Sequence, residues 1–114
     1  MNRKDWRMLM AKFTVRVELF GNASEDYYDL LHSKMKARRY FRSVKGGDDV
    51  WYHLPSATYT ADKEKGADAV RDEVAAIAQS VWSDSGTFVT KADGGRYWKG
   101  LRKGSTGEIE ELTQ

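Results

Sequence analysis

Apolar and polar residues alternate most regularly along residues 13–20. The apolar positions on one side of this segment are Phe13, Val15, Val17 and Leu19. A period of two, in residues with high β-propensity, is typical of a half-buried strand. Because apolar surface gains about 25 cal/mol per Å² on burial, a strand with four such side chains on one face needs an apolar cover. We therefore expect this strand in the middle of a sheet.

Two later segments have the helical periodicity that such a cover requires. The first helix is predicted to begin after a cap at Asn22 or Ser24 and to end near Arg39. The apolar row of this helix is formed by Tyr27, Leu31 and Met35. The second helix is predicted over residues 67–82, with an apolar row formed by Val70, Val74, Ile77 and Val81.

Short β-patterned segments follow each helix. Residues 40–44 and 50–61 are predicted to be antiparallel strands joined by a hairpin turn at residues 46–49. Pro55, the only proline, has no N–H for a β-ladder, so it marks an edge, a bulge or a change of register in the second strand. Residues 87–91 and 96–101 are predicted as the last two strands.

The predicted order of elements is strand, helix, strand, strand, helix, strand, with one extra C-terminal strand. This order is that of the α+β ferredoxin-like fold, an antiparallel sheet with two helices on one face. The other face is expected to be open to a ligand or partner. The ferredoxin-like domain is predicted over residues 12–101, preceded by a flexible N-terminal arm (1–11) and followed by a disordered acidic tail (102–114).

Composition excludes several kinds of chemistry. The chain has no cysteine, so it has neither disulfides nor thiolate ligands, and it suits a reducing compartment. It also lacks a P-loop, a dinucleotide-binding fingerprint, zinc-ligand spacing and HExxH, so we predict no cofactor and no metal. Its apolar runs are far shorter than the roughly 20 residues of a membrane helix. We expect a cytoplasmic protein that does not interact with membranes.

The formal net charge is only +2, but basic residues are concentrated at the end of the first predicted helix. Six cations follow one another there with no intervening acid: Lys34, Lys36, Arg38, Arg39, Arg42 and Lys45. If their side chains converge, they form a binding surface for phosphates. The alternative interpretation is a solvated helix end, where cations interact favourably with the helix dipole.

Four short segments resemble the GhoS-type family of endoribonuclease antitoxins from type V toxin-antitoxin systems. These segments are FTVRVEL at 13–19, DYYDLLHSKM at 26–35, YFR at 40–42 and YHLPSATY at 52–59. The resemblance spans about residues 11–101. It implies a ferredoxin-like fold, related to the dimeric nuclease subunits of CRISPR adaptation, and a protein that binds and cleaves the messenger RNA of a toxin.

One departure from the CRISPR-type relatives bears on mechanism. Those relatives carry a metal-binding acid at the exit of the first strand, where this chain has Phe20, Gly21 and Asn22. We therefore expect any RNA cleavage to be independent of metal, with Arg42 and His53, neighbours across the predicted hairpin, as the catalytic residues. The residues predicted to hold RNA are Arg16, Lys36, Arg38, Arg39, Arg42 and Trp51.

Other functions fit the same composition. A net charge near zero, an acidic second helix and several tryptophans also suit a non-catalytic inhibitor that binds a host protein complex, such as an anti-defence or anti-CRISPR protein of a phage or mobile element. Aromatic residues in strands more often form a core or an interface than a base-stacking surface, and an exposed histidine is more often structural than catalytic. We expect a homodimer that binds messenger RNA, with a host protein complex as the alternative partner, and a homodimer with only a structural role is the third possibility.

Overall fold

The computed structural model describes residues 10–104, which form a small α+β domain with two helices and antiparallel sheets. Its elements in chain order are β1 (Ala11–Leu19), α1 (Glu25–Ala37), β2 (Ser43–Lys45), β3 (Trp51–His53), β4 (Thr58–Lys63), α2 (Ala67–Val81) and β5 (Ser85–Lys91). Most of the predicted arm and tail, residues 1–9 and 105–114, lies outside the described residues.

β1 is the central strand of a three-stranded antiparallel sheet with the order β4-β1-β5. Phe13 lies opposite Ala61 of β4 and Lys91 of β5. The predicted alternation is confirmed, since Phe13, Val15, Val17 and Leu19 are all buried. The central position agrees with this pattern, because the helices cover the middle of the sheet along the whole length of β1.

Both helices pack on the face of the sheet that carries these four residues. The side chains of Leu31 and Met35 from α1 and of Val70, Val74 and Ala78 from α2 share one core with β1 and β4. Both predicted helices are confirmed, although Ala78 is fully buried whereas the larger Ile77 and Val81 are only partly buried. No helix among residues 10–104 is both long enough and apolar enough to cross a membrane.

The prediction of one strand over residues 50–61 is wrong, because the chain turns at Pro55. β3 pairs with β2, whereas β4 pairs with β1 in the other sheet. The N–H of Thr58 donates to the carbonyl of Pro55 (3.1 Å), and Ala57 adopts a left-handed backbone conformation. The proline thus ends one strand and begins a turn, which is a stronger effect than the bulge or register change that its sequence position predicts.

The boundaries of two other strands also differ from the prediction. In residues 40–44, only Ser43 and Val44 belong to β2, and Phe41 makes an isolated bridge to Thr60. The prediction of a strand at residues 96–101 is wrong. Residues 96–101 have no regular structure, Gly100 has a φ of 79°, and Lys103 forms an isolated bridge to Tyr52 instead.

The β2–β3 hairpin and residues 92–104 cover part of the sheet face opposite the helices. The Arg96 Nε donates to Thr14 Oγ1 (2.9 Å), which ties the C-terminal segment to the outer face of β1. The rings of Tyr52 and Trp98 lie 5.7 Å apart between centroids and join this segment to the hairpin. The predicted open face is therefore a groove at one end and a bare sheet at the other.

Candidate nucleic-acid interface

A groove of ≈ 350 Å³ lies between the outer face of β1 and β4 and the β2–β3 hairpin. We call it the basic groove, because four of its lining residues are cations and one is a carboxylate. It is lined by Met10, Lys12, Arg39, Phe41, Val44, Lys45, Trp51, Thr60, Ala61, Asp62 and Arg96. Its size is at the lower end of the range of ligand-binding sites.

The floor of the basic groove consists of outward-facing residues of two paired strands. Lys12 of β1 lies opposite Asp62 of β4, with 3.9 Å between Lys12 Nζ and Asp62 Oδ1. Both side chains are largely exposed (66% and 61%), so water screens this pair and the attraction is weak. Lys12 can exchange this carboxylate for a phosphate at little cost.

Arg39 reaches the basic groove through the turn that ends α1. The N–H of Arg39 donates to the carbonyl of Lys36 (2.9 Å), and the N–H of Tyr40 donates to that of Met35 (2.9 Å). This is the Schellman arrangement, whose left-handed position usually holds glycine. Here Arg39 occupies it with a φ of 64°. The Arg39 guanidinium carbon lies 5.3 Å from the centre of the Phe41 ring, within cation–π range.

The same turn separates Arg39 from Arg38. Arg38 borders a different depression, on the helix layer, together with Lys34, Glu73 and Ser80. Lys36 is exposed on α1 and does not line the basic groove. The basic cluster therefore does not converge as a unit, because the reversal of the chain at the helix end sends adjacent arginines to different faces.

The hairpin contributes Lys45 and Trp51, which lie opposite each other in the β2–β3 ladder. The Lys45 Nζ is 3.5 Å from Asp49 Oδ1, an exposed pair in the hairpin turn. The N–H of Gly104 donates to the carbonyl of Trp51 (2.8 Å), so the C-terminal segment fixes this strand from its other side. Trp51 and Phe41 give the groove two aromatic surfaces among its cations.

Arg96 is the most strongly held cation of the basic groove. Besides its bond to Thr14, its Nη2 donates to the carbonyl of Phe13 (2.9 Å). Burial lowers the pKa of Arg96, and the negative charge of Asp62 opposes that effect. A guanidinium remains protonated in proteins, so Arg96 brings a fixed positive charge to the outer face of the sheet.

Arg42 and His53, the predicted catalytic residues, do not line the basic groove. Arg42 and His53 do not lie directly opposite each other in the hairpin. His53 lies opposite Ser43, whereas Arg42 accepts a hydrogen bond at its carbonyl from the N–H of Leu54 (2.8 Å). Burial raises the pKa of Tyr59, and the positive charge of Arg42 acts in the opposite direction. The Tyr59 hydroxyl is in turn 2.6 Å from His32 Nδ1.

Arg16 lies at the bare end of the outer sheet face, opposite Phe88 of β5. It borders a shallow depression together with Glu18, Phe20 and Gly86. Of the residues predicted to hold RNA, the basic groove contains only Arg39 and Trp51. It adds Lys12, Phe41 and Arg96, which the prediction did not include, and Lys45, which belongs to the predicted basic cluster.

No protein-family model, curated protein or solved structure matches this chain. The resemblance to the GhoS-type family therefore stays a prediction, and the case for a function depends on the geometry of the site. Among residues 10–104, no group of three or more histidine, aspartate or glutamate side chains could hold a metal ion.

Proposed function

We propose that this protein binds single-stranded RNA in the basic groove. The observation that carries the proposal is the convergence of Lys12, Arg39, Lys45 and Arg96 around the aromatic side chains of Phe41 and Trp51. Cations that follow a phosphate backbone, combined with aromatic surfaces on which bases stack, are the common elements of single-strand binding sites. Duplex bases are already stacked on each other, so an aromatic surface favours an unpaired strand.

The four cations have different roles in this proposal. Lys12 and Lys45 are exposed at the two sides of the groove, and each can exchange its solvent-screened carboxylate for a phosphate. Arg39 carries a planar guanidinium that can stack on a base or form a bidentate bond with a phosphate. Arg96 is already bonded to β1, so it contributes charge more than new hydrogen bonds.

We further infer that the fold is ferredoxin-like and that the RNA is a messenger, as the resemblance to antitoxin endoribonucleases suggests. The order β4-β1-β5, with Phe41 bridged to the free side of β4, supports this arrangement with a reduced second strand. Cleavage by Arg42 and His53 remains the proposed catalytic step for a messenger, with the basic groove holding the adjoining strand.

A pair of adjacent arginines provides a sharp test of RNA binding. Arg39→Ala should weaken the affinity for a labelled single-stranded RNA by about five- to tenfold, the loss of roughly 1–1.4 kcal/mol expected of one phosphate or stacking contact. Arg38→Ala removes the same charge one residue earlier and should change the affinity little. Fluorescence anisotropy at low salt would measure both variants. Equal losses, or no salt-sensitive binding by the wild type, would contradict the proposal.

Cleavage can be tested separately from binding. Labelled RNA incubated with the protein should be cut equally well with and without a chelator, and Arg42→Ala or His53→Ala should abolish cutting while preserving binding. Intact RNA in every incubation would limit the function to binding. A host protein that copurifies after nuclease treatment, together with no RNA binding, would favour the inhibitor function instead.

A further inference from the structure

The outer edge of β5 is unpaired in the part of the chain that the structure describes. Two bonds to β1 fix the direction of its polar groups: the N–H of Ala92 donates to Lys12 (2.8 Å), and the N–H of Phe20 donates to Asp84 (2.9 Å). In an antiparallel ladder such bonded pairs alternate with non-bonded pairs. Ser85, Thr87 and Val89 therefore point their N–H and C=O groups away from β1, towards the free edge.

The first five residues of this edge, 85–89, lack the features that usually prevent strand pairing. Residues 85–89 are Ser-Gly-Thr-Phe-Val, without a charge or a proline. Phe88 is 71% exposed, on the face away from the helices. Proteins usually protect a free edge with charged residues, proline or a bulge, because its unpaired groups are a template for another strand. An uncharged edge beside an exposed phenylalanine indicates a surface that pairs.

We propose that the occupant of this edge is β5 of a second copy of the chain, paired antiparallel about a two-fold axis at Thr87. In this register Thr87 lies opposite Thr87 of the second copy, and Ser85 lies opposite Val89. All three outward-facing residues then form hydrogen-bonded pairs, which gives about six new backbone bonds. Phe88 of each copy lies opposite Gly86 of the other.

The pair of Phe88 and Gly86 is what favours a second copy over an unrelated strand. The ring of Phe20 packs directly over Gly86 on the outer face, since a Cβ at Gly86 would lie only 3.1 Å from that ring, and both residues border a shallow depression beside Phe88. In non-hydrogen-bonded pairs the strands lie closer, so a phenylalanine opposite this glycine can enter the depression and pack against the Phe20 ring. Phe88 and Gly86 lie two residues apart on the same strand. A two-fold axis at Thr87 therefore places Phe88 of each copy opposite Gly86 of the other and forms this contact twice.

The dimer would join the two three-stranded sheets into one continuous sheet. Because the two-fold axis is perpendicular to the sheet, both basic grooves would face the same side. The inference does not require the proposed RNA binding, since it depends only on the edge, the register and the exposed aromatic residues.

The absence of native cysteine allows a direct test of the register. Thr87→Cys should form a disulfide-linked dimer on mild oxidation, because the Cα atoms of a hydrogen-bonded pair lie about 5.5 Å apart, within the range for a disulfide. Phe88→Cys should not, because in this register the two positions are diagonal neighbours about 7–8 Å apart. Efficient linkage through position 88 with none through position 87 would overturn the register.

The dimer itself is tested by sedimentation equilibrium of the wild type and three variants. The wild type should dimerise, whereas Phe88→Lys and Thr87→Pro should be monomers with unchanged circular dichroism. The proline is compatible with the fold because it removes only an edge-facing N–H. Tyr97→Lys, at an aromatic residue that is 93% exposed elsewhere, should remain dimeric. A monomeric wild type, or a dimer that persists in Phe88→Lys, would overturn the proposal.

Discussion

At the scale of single residues, Arg39 has a left-handed backbone that would suit glycine better. For a residue with a Cβ, this conformation costs roughly 1 kcal/mol of conformational free energy relative to glycine. Strain of this kind often accompanies function, and here it directs a guanidinium into the basic groove. The local sequence does not predict a Schellman turn here, because its left-handed position holds arginine and not the usual glycine.

The strain at Arg39 predicts opposite effects on stability and on binding. Arg39→Gly should raise the free energy of unfolding by about 0.5–1 kcal/mol and should weaken RNA binding several-fold, because the guanidinium is lost. Urea unfolding and RNA titration would measure the two effects. Arg39→Ala is the matched control, since it removes the guanidinium but keeps the strain. Higher stability with full affinity in Arg39→Gly would exclude Arg39 from the site.

Glu73 is a second residue whose contacts lead to a testable prediction, because its side chain joins α2 to the end of α1. It accepts a hydrogen bond from Tyr40 (2.6 Å) and lies 2.9 Å from Lys65 Nζ. Burial opposes ionisation, but the bond from Tyr40 and the charges of Lys63 and Lys65 lower the pKa of Glu73 to about 2. A carboxyl with a pKa lower in the folded state than in the unfolded state stabilises the fold above its unfolded pKa.

Stability should therefore fall as the pH decreases from about 4.5 towards 2, as Glu73 becomes protonated. Glu73→Gln should lower the free energy of unfolding at neutral pH by roughly 1–3 kcal/mol, and the difference from the wild type should shrink in acid. Thermal unfolding across this pH range would measure the difference. A constant difference at every pH would show that the ionised carboxylate is not the cause.

At the scale of elements, the β2–β3 hairpin depends on a close approach at Gly46. A Cβ there would lie 3.2 Å from the Tyr52 ring, 3.3 Å from the Trp98 ring and 2.6 Å from Asp48 Oδ1. Asp48 in turn accepts hydrogen bonds from the Val50 N–H (3.1 Å) and the Tyr52 hydroxyl (2.7 Å). These contacts hold the wall of the basic groove, so extra volume at Gly46 should displace it.

Gly46→Ala should therefore destabilise the protein by about 1 kcal/mol or more, the usual cost of overpacking. Gly47→Ala is the matched control, since a Cβ at that position meets nothing within 4 Å. Chemical denaturation of the two variants would compare them. Equal stabilities would mean that the hairpin and the Trp98 segment are not packed together.

The elements that sequence predicts best are those with a single dominant period. β1 and both helices follow from their apolar spacing, since burial of one face fixes them. The turn at Pro55 and the irregular segment after Gly95 carry a strand-like pattern although neither is a strand, because alternation alone does not show whether a segment finds a pairing partner. Lys12 and Arg96 are 84 positions apart in sequence (96 minus 12), so no local pattern relates them to one site.

At the scale of the whole molecule, a net charge of +2 conceals a local concentration of positive charge. Four cations face one carboxylate around the basic groove, while Lys63 and Lys65 share the carboxylate of Glu73 at 3.5 and 2.9 Å. Binding should therefore be sensitive to salt. A site that contacts about three or four phosphates should give a slope of roughly −2 to −3 in log affinity against log salt concentration.

The most direct test of the account is the map of backbone amide shifts on titration with a short single-stranded RNA. The largest changes are expected at residues of the basic groove, which are Lys12, Arg39, Phe41, Lys45 and Trp51. Small changes are expected on the helix layer, around Lys34 and Arg38. Changes centred on the helix layer, or none at all at low salt, would contradict the central claim.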